Sequence, residues 1–262
     1  MNKLVFLIII GLVLLTSCKT TQKGYRETEA KILFKNLLKD SEKISDVKVS
    51  GLFRISGVKE IPAGFVNFEC FGNVKNQTLS FKVSFLKKPI FEISAKDKEI
   101  LFINHTAKQF IKLKMENVDF SKFIGINFSP IELSYIFLGK CPYSSDIEMM
   151  NSKFNGKEYV LEITNSVSKY TVFVNRTEDI SKVIIDNQYF DAIIMDSIQY
   201  TKNAKGEKVP KNVSFTTLDG KIKMSFIIEK ISFDKQTEEK DYGFLSEYAE
   251  VFDINDIKVK LK

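Results

Sequence analysis

Apolar and polar side chains alternate residue by residue along most of this chain, and no other feature limits its fold so strongly. Successive side chains of a β-strand point to opposite faces, so each such strand has one apolar face and one wet face. Parallel strands are covered on both faces and lack the alternation, which means that the pattern predicts an antiparallel sheet. The predicted strands are Val47–Ile55, Val66–Cys70, Leu79–Phe85, Phe91–Ala95, Glu99–Asn104, Lys108–Leu113, Tyr159–Thr164, Tyr170–Asn175, Val183–Asn187, Ile193–Tyr200, Val213–Thr217 and Lys221–Phe233.

Helical spacing replaces the alternation in a few places. Residues Thr28–Ile44 carry apolar residues at every third or fourth position and predict an amphipathic helix. Another helix is predicted from Ser129, which can cap its N-terminus, to Gly139, which can end it in a left-handed conformation. A shorter helix is expected over 120–125, and a polar loop from the second helix to about Gly156. About eleven or twelve strands and three helices predict one α+β domain.

The N-terminus has the organisation of a secretory signal peptide. Lys3 precedes a twelve-residue apolar run, Leu4–Leu15, which is shorter than the roughly 20 residues that a membrane-spanning helix needs. The run ends in Leu15-Thr16-Ser17-Cys18, which resembles the lipobox of bacterial lipoproteins, where the cysteine receives a diacylglycerol thioether. We therefore expect removal of residues 1–17 and lipidation of Cys18. An ordinary secretory signal followed by a chance cysteine is the alternative.

Lipidation of Cys18 would determine both the organisation and the location of the mature chain. Residues 18–27 are polar and form the expected tether, and residues 28–262 form the expected domain. Two or more acyl chains hold a protein stably at a membrane without spanning it. Lys19 stands where an Asp would favour retention at the inner membrane. We expect a protein of the cell envelope, anchored to the outer membrane and facing the periplasm.

Composition argues against several classes of function. The net charge of +6 is spread among acidic residues, so no basic surface for nucleic acid is predicted. His105 is the single histidine, which excludes His-based catalytic triads and metal sites with several histidines, and no phosphate-binding loop is present. We predict no enzyme activity, no cofactor and no metal. Cys70 and Cys141 are expected as buried thiols, although an oxidising envelope would permit a disulfide between them.

Three local motifs resemble the LolA/LolB lipoprotein-carrier superfamily. They are the strand start Val49–Phe53, the helical stretch Phe120–Gly139 and the segment Asp219–Ile227, which begins with an Asp-Gly signal for a two-residue hairpin turn. The resemblance covers about residues 28–233. It implies a single strongly curved antiparallel sheet, a half-open β-barrel of about 11 strands, covered by a helical lid. In that family an apolar cavity holds acyl chains.

The resemblance implies two functional regions in this chain. The first is a cavity for the lipid of a cargo, and its expected lining residues are Phe53, Phe68, Phe81, Phe85, Phe91, Ile131, Tyr135 and Leu138. The second is Leu86, in the turn before Lys87 and Lys88, which is expected to insert into the membrane. The alternatives are that the phenylalanines pack as an ordinary core and that Leu86 is an ordinary exposed residue.

Two functions are consistent with these expectations. In the first, the anchored protein binds acyl chains of lipoproteins or lipids, receives them from a periplasmic LolA-like carrier, and helps to insert lipoproteins into the outer membrane. In the second, the same fold serves as an envelope sensor or structural lipoprotein that binds protein rather than lipid. A filled core would favour the second function, and a cavity of acyl-chain size would favour the first.

Overall fold

The structure is a computed structural model that describes residues 26–42, 46–57, 64–73, 78–96, 98–114, 135, 138–140, 146–166, 168–187, 190–203, 206, 208–233 and 242–252. The predicted signal peptide, the tether up to residue 25, Cys18, Ile131 and Cys141 therefore lie outside the described residues. The described part contains one long helix, fourteen strands and a short 3-10 helix.

The elements follow one another in two runs of strands. The first run is α1 (Glu27–Glu42), β1 (Asp46–Ser56), β2 (Val66–Asn73), β3 (Thr78–Phe85), β4 (Lys88–Lys96), β5 (Glu99–Asn104) and β6 (Gln109–Lys114). The second run is β7 (Glu148–Phe154), β8 (Tyr159–Thr164), β9 (Ser168–Val174), β10 (Ile180–Asn187), β11 (Phe190–Lys202), β12 (Lys208–Thr217), β13 (Lys223–Phe233), the 3-10 helix Gly243–Glu247 and β14 (Ala249–Glu250).

All fourteen strands form one curved, unclosed sheet in the order β14-β6-β5-β4-β3-β2-β1-β13-β12-β11-β10-β9-β8-β7. Neighbouring strands are antiparallel, except that β14 runs parallel to β6. The two meanders β1–β6 and β7–β13 are joined where β1 pairs with β13. The predicted curved antiparallel sheet is thus confirmed.

The predicted number of about 11 strands is too low, because fourteen are present in the described part of the chain. Strand β7 lies in the segment predicted as a polar loop. Its side chains alternate poorly, since Asn151, Ser152 and Lys153 follow one another and a register shift falls between Met149 and Asn151. An edge strand needs no strong apolar face, so period-two analysis misses it. Strand β14 has only two residues and is equally invisible to that analysis.

Helix α1 covers β7 and β8, as its apolar stripe predicts. Ala30, Leu33 and Leu37 are buried in the same core as the strands. The Tyr159 hydroxyl on β8 donates a hydrogen bond of 2.6 Å to Glu29 Oε2 on the helix. The observed bounds agree with the predicted helix to within two residues. Among the described residues, no helix is long and apolar enough to cross a membrane.

A continuous apolar inner face runs across both meanders. Cross-strand partners point to the same side of a sheet, and the register links Phe53 to Phe226 on β13, which is linked in turn to Val213 on β12. Gly51 lies at the register shift between β1 and β13, where a Cβ atom would lie 2.0 Å from the Ile227 carbonyl oxygen. Glycine is therefore required where the two meanders meet.

The segment 242–252 covers the opposite, outer face of β4 to β6. The Tyr242 hydroxyl donates to Glu92 Oε1 over 3.2 Å, and the Phe244 ring stacks on the His105 ring with centroids 5.9 Å apart. The side chain of Glu92 is buried although it points to the outer face. The part of the chain beyond the last long strand therefore completes the outer side of the sheet.

Candidate functional site

Phenylalanine rings form a contact cluster at the centre of the inner face. The ring of Phe226 lies 4.9 Å from that of Phe53, 5.3 Å from that of Phe68 and 6.3 Å from that of Phe81, measured between centroids. Phe215 extends the cluster with a centroid distance of 5.8 Å to Phe226. Such distances are those of edge-to-face and offset aromatic pairs. Three of the expected lining residues are thus brought together, and their rings contact one another directly.

Two further expected lining residues lie towards one border of this cluster. The Phe91 ring is 6.2 Å from the Phe81 ring and 6.0 Å from the Phe102 ring, and it is only half-buried. Phe85 closes strand β3 and is 52% exposed. The sequence alternation put Phe85 on the inner face, and the structure places it on that side but beyond the buried cluster.

On β2 and β3, exposure of the inner face increases towards the end of the sheet at which β1, β3 and β12 finish, here called the hairpin end, whereas Ile55 on β1 stays buried there. Phe68 and its partner Val83 are fully buried, whereas Val66 is half-buried and Phe85, which the register places opposite Val66, is half-exposed. The apolar inner face is therefore continuous with apolar surface at the hairpin end. An extended apolar ligand that lies along this direction would remain in contact with side chains of the sheet.

The β3–β4 turn projects from the hairpin end. Leu86 is 76% exposed, with φ of 48°, and Lys87 follows with φ of 66°. A two-residue turn with positive φ at both positions is of the kind that Asn-Gly sequences prefer. Leu in the left-handed region costs roughly 1–2 kcal/mol. This chain thus keeps an apolar side chain at a position where local conformation disfavours it.

Tyr135 and Leu138 are both buried, at the end of the predicted second helix. Gly139 has φ of 60°, and the Lys140 N–H donates to the Tyr135 carbonyl oxygen over 3.0 Å, so the predicted left-handed helix end is confirmed. The Tyr200 hydroxyl lies 3.1 Å from the Gly139 carbonyl oxygen. A Cβ atom at Gly139 would lie 2.7 Å from that hydroxyl oxygen.

Burial holds the Tyr200 hydroxyl in its protonated form. The pKa of Tyr200 is raised above its ordinary value, chiefly because burial disfavours the phenolate and also because Asp179 carries a negative charge nearby. The Ile180 carbonyl oxygen lies 3.0 Å away and shares the single hydroxyl hydrogen with the Gly139 carbonyl oxygen. Tyr200 therefore links the segment 138–140 to strands β10 and β11. The remainder of the predicted lid, with Ile131, lies outside the described residues.

Several residues of this site were not predicted. Phe215 and Phe226 complete the ring cluster, although they lie more than 120 residues after the phenylalanines of β1 to β3. Phe65 and Leu218 are 43% and 64% exposed at the hairpin end. The alternation in β12 and β13 identifies the two phenylalanines as inward-facing, but only the pairing of β1 with β13 brings them to Phe53.

His105 and Glu92 lie on the outer face, away from the ring cluster. His105 Nε2 is 3.9 Å from Glu92 Oε2, and His105 Nδ1 is 3.1 Å from the Tyr248 hydroxyl. Within the described ranges, no three His, Cys, Asp or Glu side chains form a group that could hold a metal ion. Cys70 is buried on the inner face, and the possible disulfide with Cys141 stays a prediction.

Solved structures of other proteins share this fold. A LolA superfamily protein from Nitrosomonas europaea matches with a TM-score of 0.54 and 11% sequence identity, over 78% of this chain and 94% of that protein. An outer membrane lipoprotein-sorting protein domain from Vibrio parahaemolyticus matches with a TM-score of 0.57 and 11% identity, over 81% and 95%. A DUF1329 family protein from Desulfovibrio piger matches with a TM-score of 0.50 and 9% identity, over 79% and 94%.

No family model matches the chain, and no curated protein matches it in sequence. At such low identities the structural matches establish the fold and nothing finer. The resemblance to the LolA/LolB superfamily that three short motifs suggested is confirmed at this level, because the chain has the LolA-superfamily fold.

Proposed function

From this shared fold, we propose that the protein is a membrane-anchored lipoprotein that binds acyl chains of lipoprotein cargo and helps to insert the cargo into the outer membrane. One observation carries the proposal: on β2 and β3 the apolar inner face passes from the buried pair Phe68 and Val83 to the half-buried Val66 and the half-exposed Phe85 opposite it, and it continues into the projecting Leu86. An acyl chain that moves between the protein and the membrane would therefore have apolar contacts from the membrane to the centre of the sheet.

Energetics support transfer without a cofactor or nucleotide. Moving methylene groups out of water contributes roughly 0.8 kcal/mol each, whether they enter a protein or a bilayer. A carrier and a membrane therefore offer acyl chains similar environments, and the direction of transfer follows from small differences between them. In this proposal the protein is not an enzyme, and a periplasmic LolA-like carrier supplies the cargo.

Anchoring belongs to the proposal through Cys18. The lipobox-like Leu15-Thr16-Ser17-Cys18 would give the mature chain its own lipid, and the polar tether of residues 18–27 would separate the anchor from the domain. Two or three acyl chains at Cys18 hold a protein at a membrane surface. The hairpin end can then reach the same bilayer repeatedly without diffusing away.

Leu86 is the proposed insertion residue. Its left-handed backbone and 76% exposure keep an apolar side chain outside the core, beside Lys87 and Lys88. Lysines next to an exposed apolar residue suit contact with anionic headgroups. Burying a leucine side chain contributes roughly 1.5–3 kcal/mol, which corresponds to a tenfold or greater change in membrane partitioning.

A second candidate function has its own supporting observation. The ring of Phe226 lies 4.9 Å from the Phe53 ring and 5.3 Å from the Phe68 ring, measured between centroids. Rings that contact one another leave no space between them for an acyl chain. An envelope sensor or structural lipoprotein that binds protein would have such a filled centre.

Mass spectrometry of non-covalently bound lipid distinguishes these functions. The full chain is purified from membranes, and lipid extracted by solvent is measured separately from the lipid attached to Cys18. We expect bound acyl lipid in the unmodified protein and less in Phe91→Ser, which alters a half-buried inner-face residue near the hairpin end. Met149→Ser is the matched control, because Met149 is also half-buried but lies on β7. A protein that carries no extractable acyl lipid would favour the second function.

Insertion is tested with a labelled acylated lipoprotein and vesicles that contain phosphatidylglycerol. Leu86→Glu is expected to keep bound lipid and to lower insertion of the label at least about tenfold, because a charged side chain loses the burial energy of leucine. Met150→Glu is the control, since Met150 is 65% exposed on the edge strand β7. Unchanged insertion by Leu86→Glu would remove Leu86 from the proposal.

A further inference from the structure

A second apolar side chain projects from the hairpin end, in the loop that joins β12 to β13. Leu218 is 64% exposed at the start of this loop. The sequence predicted a two-residue turn at Asp219-Gly220, and this prediction is wrong. The Thr217 N–H donates to the Ile222 carbonyl oxygen over 3.0 Å and encloses a four-residue loop, 218–221. The longer loop places Leu218 outside the core.

Hydrogen bonds hold this loop in a defined shape. Asp219 Oδ1 accepts from the Thr217 hydroxyl over 2.7 Å and from the Lys221 N–H over 3.1 Å. Asp219 Oδ2 also lies 2.8 Å from the Lys221 ammonium. That hydrogen bond from Lys221 holds the pKa of Asp219 well below its usual range. These contacts hold together the loop that carries the exposed Leu218.

The β3–β4 turn has an apolar neighbour on the side that faces this loop. β2 and β3 are paired as far as Asn67 and Ser84, so Phe65 and Leu86 lie at the same end of these two adjacent strands. Phe65 is 43% exposed, and the Arg54 guanidinium lies 5.8 Å from its ring centre. Eight large apolar side chains are exposed among the described residues, and four of them lie at the hairpin end: Phe65, Phe85, Leu86 and Leu218.

Cationic side chains accompany these apolar residues. Five exposed cations lie in or beside the same turns: Arg54, Lys87, Lys88, Lys221 and Lys223. One acidic residue of the loop, Asp219, is paired with Lys221. Exposed apolar side chains between cations match the surface of a bilayer that contains anionic lipids, where apolar groups enter the acyl region and cations meet phosphates.

We propose that the hairpin end contacts an anionic lipid surface at two points, the β3–β4 turn with Leu86 and the β12–β13 loop with Leu218. Strands β2 and β1 lie between β3 and β13, and adjacent strands are about 4.8 Å apart, so the two points are roughly 20 Å apart across the sheet. Two separated contacts prevent the sheet from pivoting about one turn. The inner face is then held open towards the bilayer. This inference rests on the part of the proposed function that directs the hairpin end to the membrane.

Single tryptophan reporters test this inference in the full chain. The natural sequence contains no tryptophan, so Leu86→Trp, Leu218→Trp and Ile32→Trp each introduce the sole indole. Ile32 is the control, because it is 57% exposed on α1 and outside the hairpin end. Each variant is reconstituted in vesicles of phosphatidylglycerol and phosphatidylethanolamine. The emission wavelength is measured, and so is quenching by lipids brominated near the headgroup.

We expect emission at shorter wavelength and strong quenching for the reporters at 86 and 218, and neither for the reporter at 32. Vesicles of phosphatidylcholine alone should reduce both signals, and equal signals there would overturn the requirement for anionic lipid. A reporter at 218 that behaves like the one at 32, while the reporter at 86 is quenched, would overturn the two-point contact and leave the proposed function intact. Absence of quenching at both 86 and 218 would contradict both.

Discussion

Two regions of the inner face share the alternation of apolar and polar residues but fill their buried positions with different kinds of side chain. In the aromatic region, formed by β12, β13 and β1 to β5, phenylalanine rings contact one another across strands. In the aliphatic region, formed by β7 to β10, branched side chains such as Leu161, Val172 and Ile185 fill the buried positions. Helix α1 lies over β7 and β8.

The difference follows from what covers each region. Short branched side chains allow a helix to lie directly on the strands, so the aliphatic region packs as an ordinary two-layer core. Large rings fill more space on the curved sheet away from α1. Only the aromatic region continues to the exposed Phe85 and Leu86. Both regions contribute buried apolar contacts to stability, and under the proposed function the ligand contacts the border of the aromatic region.

The largest effect is expected from the centre of the aromatic region. Phe226→Ala should lower the free energy of unfolding by about 4 kcal/mol, because it removes a ring that contacts four others and leaves a cavity. Leu161→Ala in the aliphatic region should cost about 3 kcal/mol. Urea unfolding of both variants measures the difference. A much smaller cost for Phe226→Ala would mean that the ring already has free space around it, which would reverse the comparison.

A smaller loss of unfolding free energy is expected where the segment 138–140 contacts the meander β7–β13. Tyr200→Phe should lower the free energy of unfolding by about 2 kcal/mol, because the Gly139 and Ile180 carbonyl oxygens lose their hydroxyl donor. Tyr159→Phe is a comparison at the contact of α1 with β8. Urea unfolding is again the measurement. No change for Tyr200→Phe would show that water replaces the hydroxyl.

Leu86→Asn should act in the opposite direction on stability. Asparagine tolerates the left-handed region, so the variant should gain about 1 kcal/mol of unfolding free energy while it loses insertion of acylated cargo into vesicles. Lys87→Gly is the control, since it relaxes the same turn and keeps Leu86. If Leu86→Asn gains stability and keeps full insertion of acylated cargo, Leu86 is not needed for insertion.

The smallest effect concerns the outer face of the aromatic region. Burial raises the pKa of Tyr242 from 10.0 to about 12. A raised pKa means that the folded state holds the proton more tightly, so this contribution is complete below pH 10 and is lost as the pH rises towards 12. The free energy of unfolding measured in urea should therefore fall over that interval by more in the unmodified protein than in Tyr242→Phe. Tyr242→Phe should remove this dependence, and an unchanged profile in the variant would assign it to another group.

Local patterns identified most of the sheet and one helix in advance. Alternation predicted the strands from β1 to β6 and β8 to β13, because one face of each strand meets the core and the other meets water. The apolar stripe of the helix Glu27–Glu42 and the left-handed conformation of Gly139 were also predicted from local sequence. The exposed Leu86 could be suspected because an apolar residue stood where a polar one was expected.

Other features depend on contacts between distant parts of the chain. The ring cluster needs Phe226 beside Phe53, and that contact arises only because β1 pairs with β13. Burial of Glu92 needs Tyr242, which lies 150 residues later. The strand β7 is held by β8 rather than by its own apolar face.

The sequence by itself determined which side chains face inwards, since that follows from a two-residue period in the local backbone. Only the tertiary structure decided which of those side chains meet and where the apolar face reaches solvent. Strand pairing and the ends of turns depend on the register between strands, which a single strand does not encode.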